Sequence, residues 1–333
     1  MKRILALLLA LWIPAAVLSG CAPQDDSAAS NKLNIVTTIF PAYDWVREIL
    51  GDETDRAEIT TLLDSGVDLH SYQPTVDDIV KISECDLFLY VGGESDGWVE
   101  DALKNAPNKD RKVIRLLDVL GDSAKAEETV AGMQEEEHDH EEEGHGHEEE
   151  AEYDEHIWLS LKNAQVLVAA ISEALQETDP ARKDTYAANA AAYVEKLSAL
   201  DGEYRAAVDS GKYKTLLFGD RFPFRYLADD YGLDYYAAFP GCSAETEASF
   251  ETVSFLAGKM DALGLPCVLT IEGTQHKIAE TIVQNTARKN QQILTMDSMQ
   301  AVTANDASSG VSYLSIMEKN LSVLKKALGQ EAE

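Results

Sequence analysis

Apolar positions along the chain fall into short runs that alternate with stretches of helical spacing. LNIVTTI (33–39), AEITTLL (57–63), DLFLYV (86–91) and KVIRLL (112–117) read as strands. FPAYDWVREIL (40–50), PTVDDIVKISE (74–84) and GWVEDALKNA (97–106) lie between them and read as helices. Helical spacing returns over Asn163 to Leu175. Asp179 and Pro180 then offer an N-cap and a first-turn proline to an Ala-rich run that continues to about Asp209. Beyond Gly211 the alternation restarts with strands KTLLF (214–218), YYAAF (235–239), PCVLTIE (266–272) and QILTMD (292–297). Helices FRYLADDYG (224–232), SFETVSFLAGKMDALG (249–264) and HKIAETIVQNTARK (276–289) fall between these, and a closing helix runs from Tyr313 to Leu328.

Strands separated by helices predict parallel sheets, so the expected class is α/β: two lobes, each with a parallel-rich sheet flanked by helices. The Ala-rich helix, about 29 residues and about 44 Å long, exceeds what one domain needs and reads as a rigid strut joining the lobes across a cleft. The boundaries that follow are a targeting segment at 1–20, a tether at 21–32, an N-terminal lobe at 33–178, the linking helix at 179–210 and a C-terminal lobe at 211–329. The stretch 135–155 breaks the first lobe, being almost wholly Glu, Asp, His and Gly without a single Lys or Arg. Such a sequence buries no core, and a disordered acidic, histidine-rich loop is placed at 120–153.

Composition narrows the partners. With 45% hydrophobic residues in 333, the chain supports ordinary cores, and 28 Lys plus Arg against 59 Asp plus Glu leaves a net charge of −31. That charge repels nucleic acid and favours cations. Lys2 and Arg3 precede an apolar run from Ile4 to Leu18, followed by Ser19, Gly20 and Cys21. This looks like a bacterial lipobox, which implies cleavage before Cys21, lipid attachment to its thiol, and an exported chain held at a membrane face. In an oxidising compartment Cys242 and Cys267, both in the C-terminal half, are the expected disulfide pair, while Cys85 sits in an apolar strand as a small buried hydrophobe.

Of seven histidines, His138, His140, His145 and His147 lie in the acidic loop. His70, His156 and His276 each fall where a predicted strand hands over to a loop or helix, the edge at which open α/β sheets hold ligands. No H-E-x-x-H, G-x-S-x-G or P-loop lysine is present, so hydrolase and nucleotide chemistry have no motif here. The aromatics Phe222, Phe224, Tyr226, Tyr235, Tyr236 and Phe239 read as core of the second lobe, one or two of them walling the cleft.

GVDLHSYQPTVDD (66–78), DEHIWLSLKNA (154–164), the FPAYDWVREILGD segment (40–52), the long helix from Asp179 and the closing SYLSIMEKNLSVLKKAL (312–328) together resemble the zinc and manganese substrate-binding lipoproteins of ABC importers, the cluster A-I solute-binding family. The histidine-rich insertion is typical of the zinc branch. The resemblance implies that His70 and His156 bind a divalent metal and that Asp297, in TMDSMQ, supplies a carboxylate. One segment departs: LFGDRFPFRYLADDYGL (217–233) has Gly219 where the family has its third histidine. His276, the remaining histidine of the folded sequence, is the expected replacement, with Asp220 as the other choice. Glu247 and Glu272 also stand near strand ends, where helix capping or salt bridging is their ordinary use.

Three imidazoles and a carboxylate suit tetrahedral Zn²⁺ with Zn–N near ~2.0 Å, whereas a site with two imidazoles would admit Mn²⁺. Either metal should bind less tightly at low pH, because histidine ligates only when neutral. The expected function is capture of Zn²⁺ outside the cytoplasmic membrane and delivery to an ABC permease and its ATPase by a monomeric, lipid-anchored receptor, with no enzymatic activity. A manganese receptor and a metal-dependent surface adhesin are the alternatives. The acidic loop would gather metal weakly beside the cleft.

Overall fold

In the computed structural model, residues 32–104, 106–134, 152–243, 247–273 and 276–330 are described. The targeting segment, Cys21 and nearly all of the tether lie outside them, as do 135–151 with His138, His140, His145 and His147.

The first lobe contains β1 (Leu33–Thr37), α1 (Phe40–Leu50), β2 (Ala57–Thr61), α2 (Val76–Glu84), β3 (Leu87–Tyr90), α3 (Val99–Lys104), β4 (Lys112–Arg115) and α4 (Leu116–Leu120). Its sheet has the order β2-β1-β3-β4, and every pair is parallel. β3, an unbroken apolar run, is covered on both faces, as inner strands of a parallel sheet must be. α2 starts at a capping box in which Thr75 and Asp78 satisfy each other's backbone N–H groups.

Two helices, α5 (Leu161–Thr178) and α6 (Lys183–Ser210), separate the lobes in sequence. The structure divides the predicted strut: Pro180–Arg182 form a separate 3-10 turn, and the α-helix begins at Lys183. Asp179 caps no N–H there. Its carboxylate instead accepts from Arg182 (2.7 Å) and from the Tyr186 hydroxyl (3.0 Å), which stops the chain before the turn. At 28 residues α6 is about 42 Å long. It buries Tyr186, Tyr193, Leu197, Leu200 and Tyr204 along one side.

The second lobe runs β5 (Thr215–Arg221), α7 (Arg225–Tyr231), β6 (Asp234–Phe239), α8 (Phe250–Leu263), β7 (Cys267–Thr270), α9 (Lys277–Asn285), β8 (Gln292–Thr295), α10 (Ala304–Ser308) and α11 (Tyr313–Ala327). Its sheet order is β6-β5-β7-β8, again all parallel. Adding four to each strand number of the first sheet reproduces the second, so the two lobes repeat one topology. α6 packs on α1 and α5 at one end and on α7 and α11 at the other. Residues from Lys32 onward form one compact unit.

Two expectations are corrected. The loop placed at 120–153 is built into the fold over most of its described part: Gly121–Ser123 form a 3-10 turn, Ala126 pairs with Tyr153, and Gln134 N–H bonds Ala238 C=O at 2.9 Å. Backbone pairing supplies there what apolar side chains do not. Cys242 and Cys267 are free thiols, as is Cys85. β5 lies between β6 and β7, so two strand spacings, about 9.6 Å, separate the two cysteines before their position along the strands is counted. Cys267 opens β7 while Cys242 follows the far end of β6, beyond the reach of a disulfide.

Candidate metal centre

The site is assembled from loops at the C-terminal edges of the strands. After β2 the chain turns through Leu69–Ser71, where Asp68 accepts the His70 N–H at 3.0 Å and fixes the turn that projects the imidazole. Asp68 also pairs with Arg221 of β5, a bond from one lobe to the other. Burial alone would raise the Asp68 carboxyl, but the charge and hydrogen bond of Arg221, joined by His70, together outweigh it and hold the group below the usual carboxylate range.

His156 precedes the turn that leads into α5 and is fully buried. Asp154 Oδ1 accepts both its backbone N–H and its Nδ1–H at 2.9 Å. A carboxylate oxygen only accepts, so Nδ1 carries the proton and Nε2 presents a lone pair. Tyr226 secures Asp154 in turn, donating its hydroxyl to the Asp154 carbonyl at 3.0 Å. His70 Nδ1 faces Ser95 Oγ at 2.9 Å and the Glu155 carboxylate at 3.4 Å, and the tautomer with its proton on Nδ1 leaves Nε2 open to a cation. Burial, reinforced by neighbouring His156, pushes the His70 imidazole down to about 3, so it is neutral throughout the physiological range.

The two Nε2 atoms stand 3.2 Å apart. With the proton of each ring on Nδ1, the two neutral imidazoles aim lone pairs at one point, an arrangement that repels unless a cation lies between them. Zn–N bonds of about 2.05 Å at the tetrahedral angle separate two nitrogens by about 3.3 Å, so the spacing fits the ion. Cys242 completes a group of three: one donor atom each from His70, His156 and Cys242 lies within 4.8 Å of the others. The thiol arrives on the loop after β6, whose Gly241 lies against His156. A Cβ at that position would meet Phe222 O at 2.9 Å and His156 Nδ1 at 3.2 Å. Glu127 accepts the Cys242 N–H at 2.9 Å. Burial, with Asp154 and Glu127 nearby, raises the thiol well above its ordinary range. A cation must therefore displace its proton on binding.

A cavity of about 670 Å³ reaches this group, and Glu94, Glu127, Glu152 and Glu155 in its wall face a single Arg115. That surplus of carboxylates draws cations inward.

His70 and His156 are thus brought together, but His276 and Asp297 stand outside the group. Asp297 turns its carboxylate into its own loop, accepting the Met299 N–H at 2.8 Å. His276 sits at the N-cap of α9, within the field of Asp220, whose carboxylate takes the Arg221 and Ile271 backbone N–H groups at 3.0 and 3.4 Å. Gly219 faces away from the cleft, for a Cβ there would meet Ala279 Cα of α9 at 2.6 Å. Among the described residues Glu272 neither caps a helix nor pairs with a cation: it accepts from Ser298 N–H and Oγ in the loop after β8. Phe222, Phe224, Tyr226 and Phe239 are core, as read from the sequence. Cys242 and the supporting Asp154 and Tyr226 were missed. The signal for Cys242 was available, since it follows the strand YYAAF as the histidines follow theirs.

Two lobes of one repeated parallel topology, with donor side chains at facing strand ends, are the architecture of a solute-binding protein. The chain belongs to the family of the periplasmic zinc-uptake complex component A, ZnuA, whose model matches residues 35–327. It is 34% identical over 331 residues, 99% of its length, to the zinc-binding lipoprotein AdcA of Streptococcus pneumoniae, and spans 62% of that relative. It is 30% identical to the high-affinity zinc uptake system protein ZnuA of Bacillus subtilis, covering 90% of this chain and 88% of the relative. The Zn(II)-bound ZnuA-like domain of Streptococcus pneumoniae AdcA superposes with a TM-score of 0.68 at 29% identity, covering 90% of this chain and all of that domain.

Proposed function

We propose that this chain is an extracytoplasmic receptor that captures Zn²⁺ in the cleft and hands it to the permease of an ABC importer. Two imidazole Nε2 atoms 3.2 Å apart, each ring with a carboxylate beside its Nδ1, carry the reading. Membership of a zinc-uptake family and similarity to zinc-binding lipoproteins support it. The lipobox reading of Cys21 adds a lipid anchor at the outer face of the cytoplasmic membrane, and the permease and its ATPase are the partners. Among the described residues no helix is long and apolar enough to cross a membrane.

His70, His156 and Cys242 are the donors, and the zinc is cargo rather than catalyst. A thiolate selects Zn²⁺ over Mn²⁺, which prefers oxygen. Competitive zinc and manganese titration of the soluble chain from residue 22 tests this. His156→Ala and Cys242→Ala should each lower zinc affinity at least tenfold, while His276→Ala leaves it within threefold. Tight zinc binding that survives both of the first two substitutions overturns the reading.

A further inference from the structure

We propose that Gln300 is the fourth donor of the zinc site, through its side-chain oxygen, and that Glu272 is the residue that positions it. The inference rests on the receptor reading above.

Gln300 is only 8% exposed and its amide points into the donor group: Nε2 lies 3.3 Å from His156 Nε2 and 3.3 Å from Ser298 Oγ. Its Oε1 is buried with no hydrogen-bond partner. An orphaned carbonyl oxygen costs on the order of 1–3 kcal/mol, so it calls for an occupant. The amide N–H rests on the very lone pair that zinc would claim. With zinc bound to His156 Nε2 that hydrogen bond is lost, and a half-turn about the terminal side-chain bond replaces Nε2 with Oε1 at the ion. Oxygen then bonds zinc directly, and no proton need leave the glutamine. The completed set is two imidazole nitrogens, one thiolate and one neutral oxygen, four donors for an ion that favours four.

The loop that carries Gln300 is held under evident constraint. Met299, just before it, has φ +67, a left-handed conformation that a side-chain-bearing residue adopts at a cost of about 1–3 kcal/mol. Glu272 holds the loop there, accepting from Ser298 N–H and Ser298 Oγ at 2.6 Å, Gln300 N–H at 3.1 Å and Ala301 N–H at 3.4 Å. Asp297 takes the Met299 N–H, and Trp158 Nε1 donates to the Ser298 carbonyl at 2.8 Å. Bonds from three directions thus maintain a backbone whose consequence is to turn Gln300 inward.

Topology supplies an independent argument. β2 and β6 occupy equivalent places in the two sheets, as do β4 and β8. His70 follows β2 and Cys242 follows β6; Gln300 follows β8 directly, while His156 comes after β4 only beyond α4 and the turn at Gly121–Ser123. His70 and Cys242 therefore hold equivalent positions, one in either lobe, and His156 and Gln300 come from the segments beyond the equivalent strands β4 and β8.

The test uses the soluble chain with Gln300→Ala, Gln300→Glu and Glu272→Ala, measuring zinc affinity by chelator competition and the visible absorption of the Co²⁺-loaded protein. Gln300→Ala should weaken zinc at least tenfold and dim the intense bands of four-coordinate cobalt. Gln300→Glu, which keeps an oxygen donor and adds charge, should bind zinc as tightly as the parent or more so. Glu272→Ala should change the cobalt spectrum in the same sense, and its effect should be non-additive with Gln300→Ala. Gln300→Ala within twofold of the parent, or Gln300→Glu as weak as Gln300→Ala, overturns the inference. If the parent loses affinity with His156→Ala but not with Gln300→Ala, only this inference fails. If neither His156→Ala nor Cys242→Ala matters, the receptor reading fails first.

Discussion

Gly219 occupies the place where a third imidazole was expected, and its surroundings predict what any side chain there would do. A Cβ at Gly219 would lie 2.6 Å from Ala279 Cα, 2.8 Å from Ala279 Cβ and 2.9 Å from Ala279 N. Carbon atoms in ordinary contact stand about 3.5–4.0 Å apart, so α9 would have to retreat by roughly 1 Å. The three atoms are backbone or bonded directly to it, and no rotamer change relieves them. Retreat of α9 would also loosen Leu217, Ala279, Ile282 and Val283 from their common cluster. Overpacking of this kind costs about 1–3 kcal/mol. Gly219→Ala should therefore lower unfolding stability by that amount in urea denaturation followed by tryptophan fluorescence, while zinc affinity of the folded protein stays within threefold. Gly219→His should be less stable still and gain no zinc affinity. A parent-like midpoint for Gly219→Ala, or tighter zinc binding by Gly219→His, would refute the argument that this position faces the helix rather than the cleft.

Asp154→Ala should weaken zinc by about 10–100-fold, because the partner that fixes the His156 tautomer is lost, and Asp154→Asn, which can still accept at one oxygen, should recover part of it; chelator competition measures both. Asp44 is buried and its carboxyl is raised to about 6, chiefly by burial and against the opposing Tyr313 N–H bond at 2.8 Å. Its contribution is full below about pH 4 and is lost as pH rises through 6, so Asp44→Asn should be more stable than the parent at pH 7.5, by at most about 3 kcal/mol, and the gap should close toward pH 4. Thermal melts across that range would contradict this by showing a gap independent of pH. Alkylation of the unfolded soluble chain without reductant should modify Cys85, Cys242 and Cys267 alike; a mass showing one thiol modified would restore the disulfide.

Much of the fold was legible because parallel sheets leave a plain trace. Runs such as LFLY and CVLT can sit only where both faces are covered, and α2 and α8 begin at capping residues, Thr75 and Ser249, that stand in the sequence. The separate turn at Pro180 was not legible, since a proline after Asp179 reads as a helix start and only the bonds to Arg182 and Tyr186 redirect the aspartate. In the site, His70 and His156 were found from the transition of strand to loop. Cys242 went unread as a donor because pairing with Cys267 was the first use considered for an exported cysteine, and strand order, which forbids the pair, is not written locally. Gln300 carries no charge and no metal-binding reputation, and its significance lies in an unpartnered oxygen that only three dimensions expose. The pull of Asp297 came from a local motif, and its carboxylate proves to serve Met299.

The repeated strand order has a mechanical consequence. With His70 and His156 carried by the first lobe and Cys242 and Gln300 by the second, the ion acts as a rivet whose shank crosses the seam. Neither half of the rivet alone grips a divalent ion tightly, because two donors forfeit most of the chelate advantage. A partner that pries the seam by an ångström or two would thus turn a tight holder into two poor ones, with no need to attack any ligand or to bend the long helix that spans both sides.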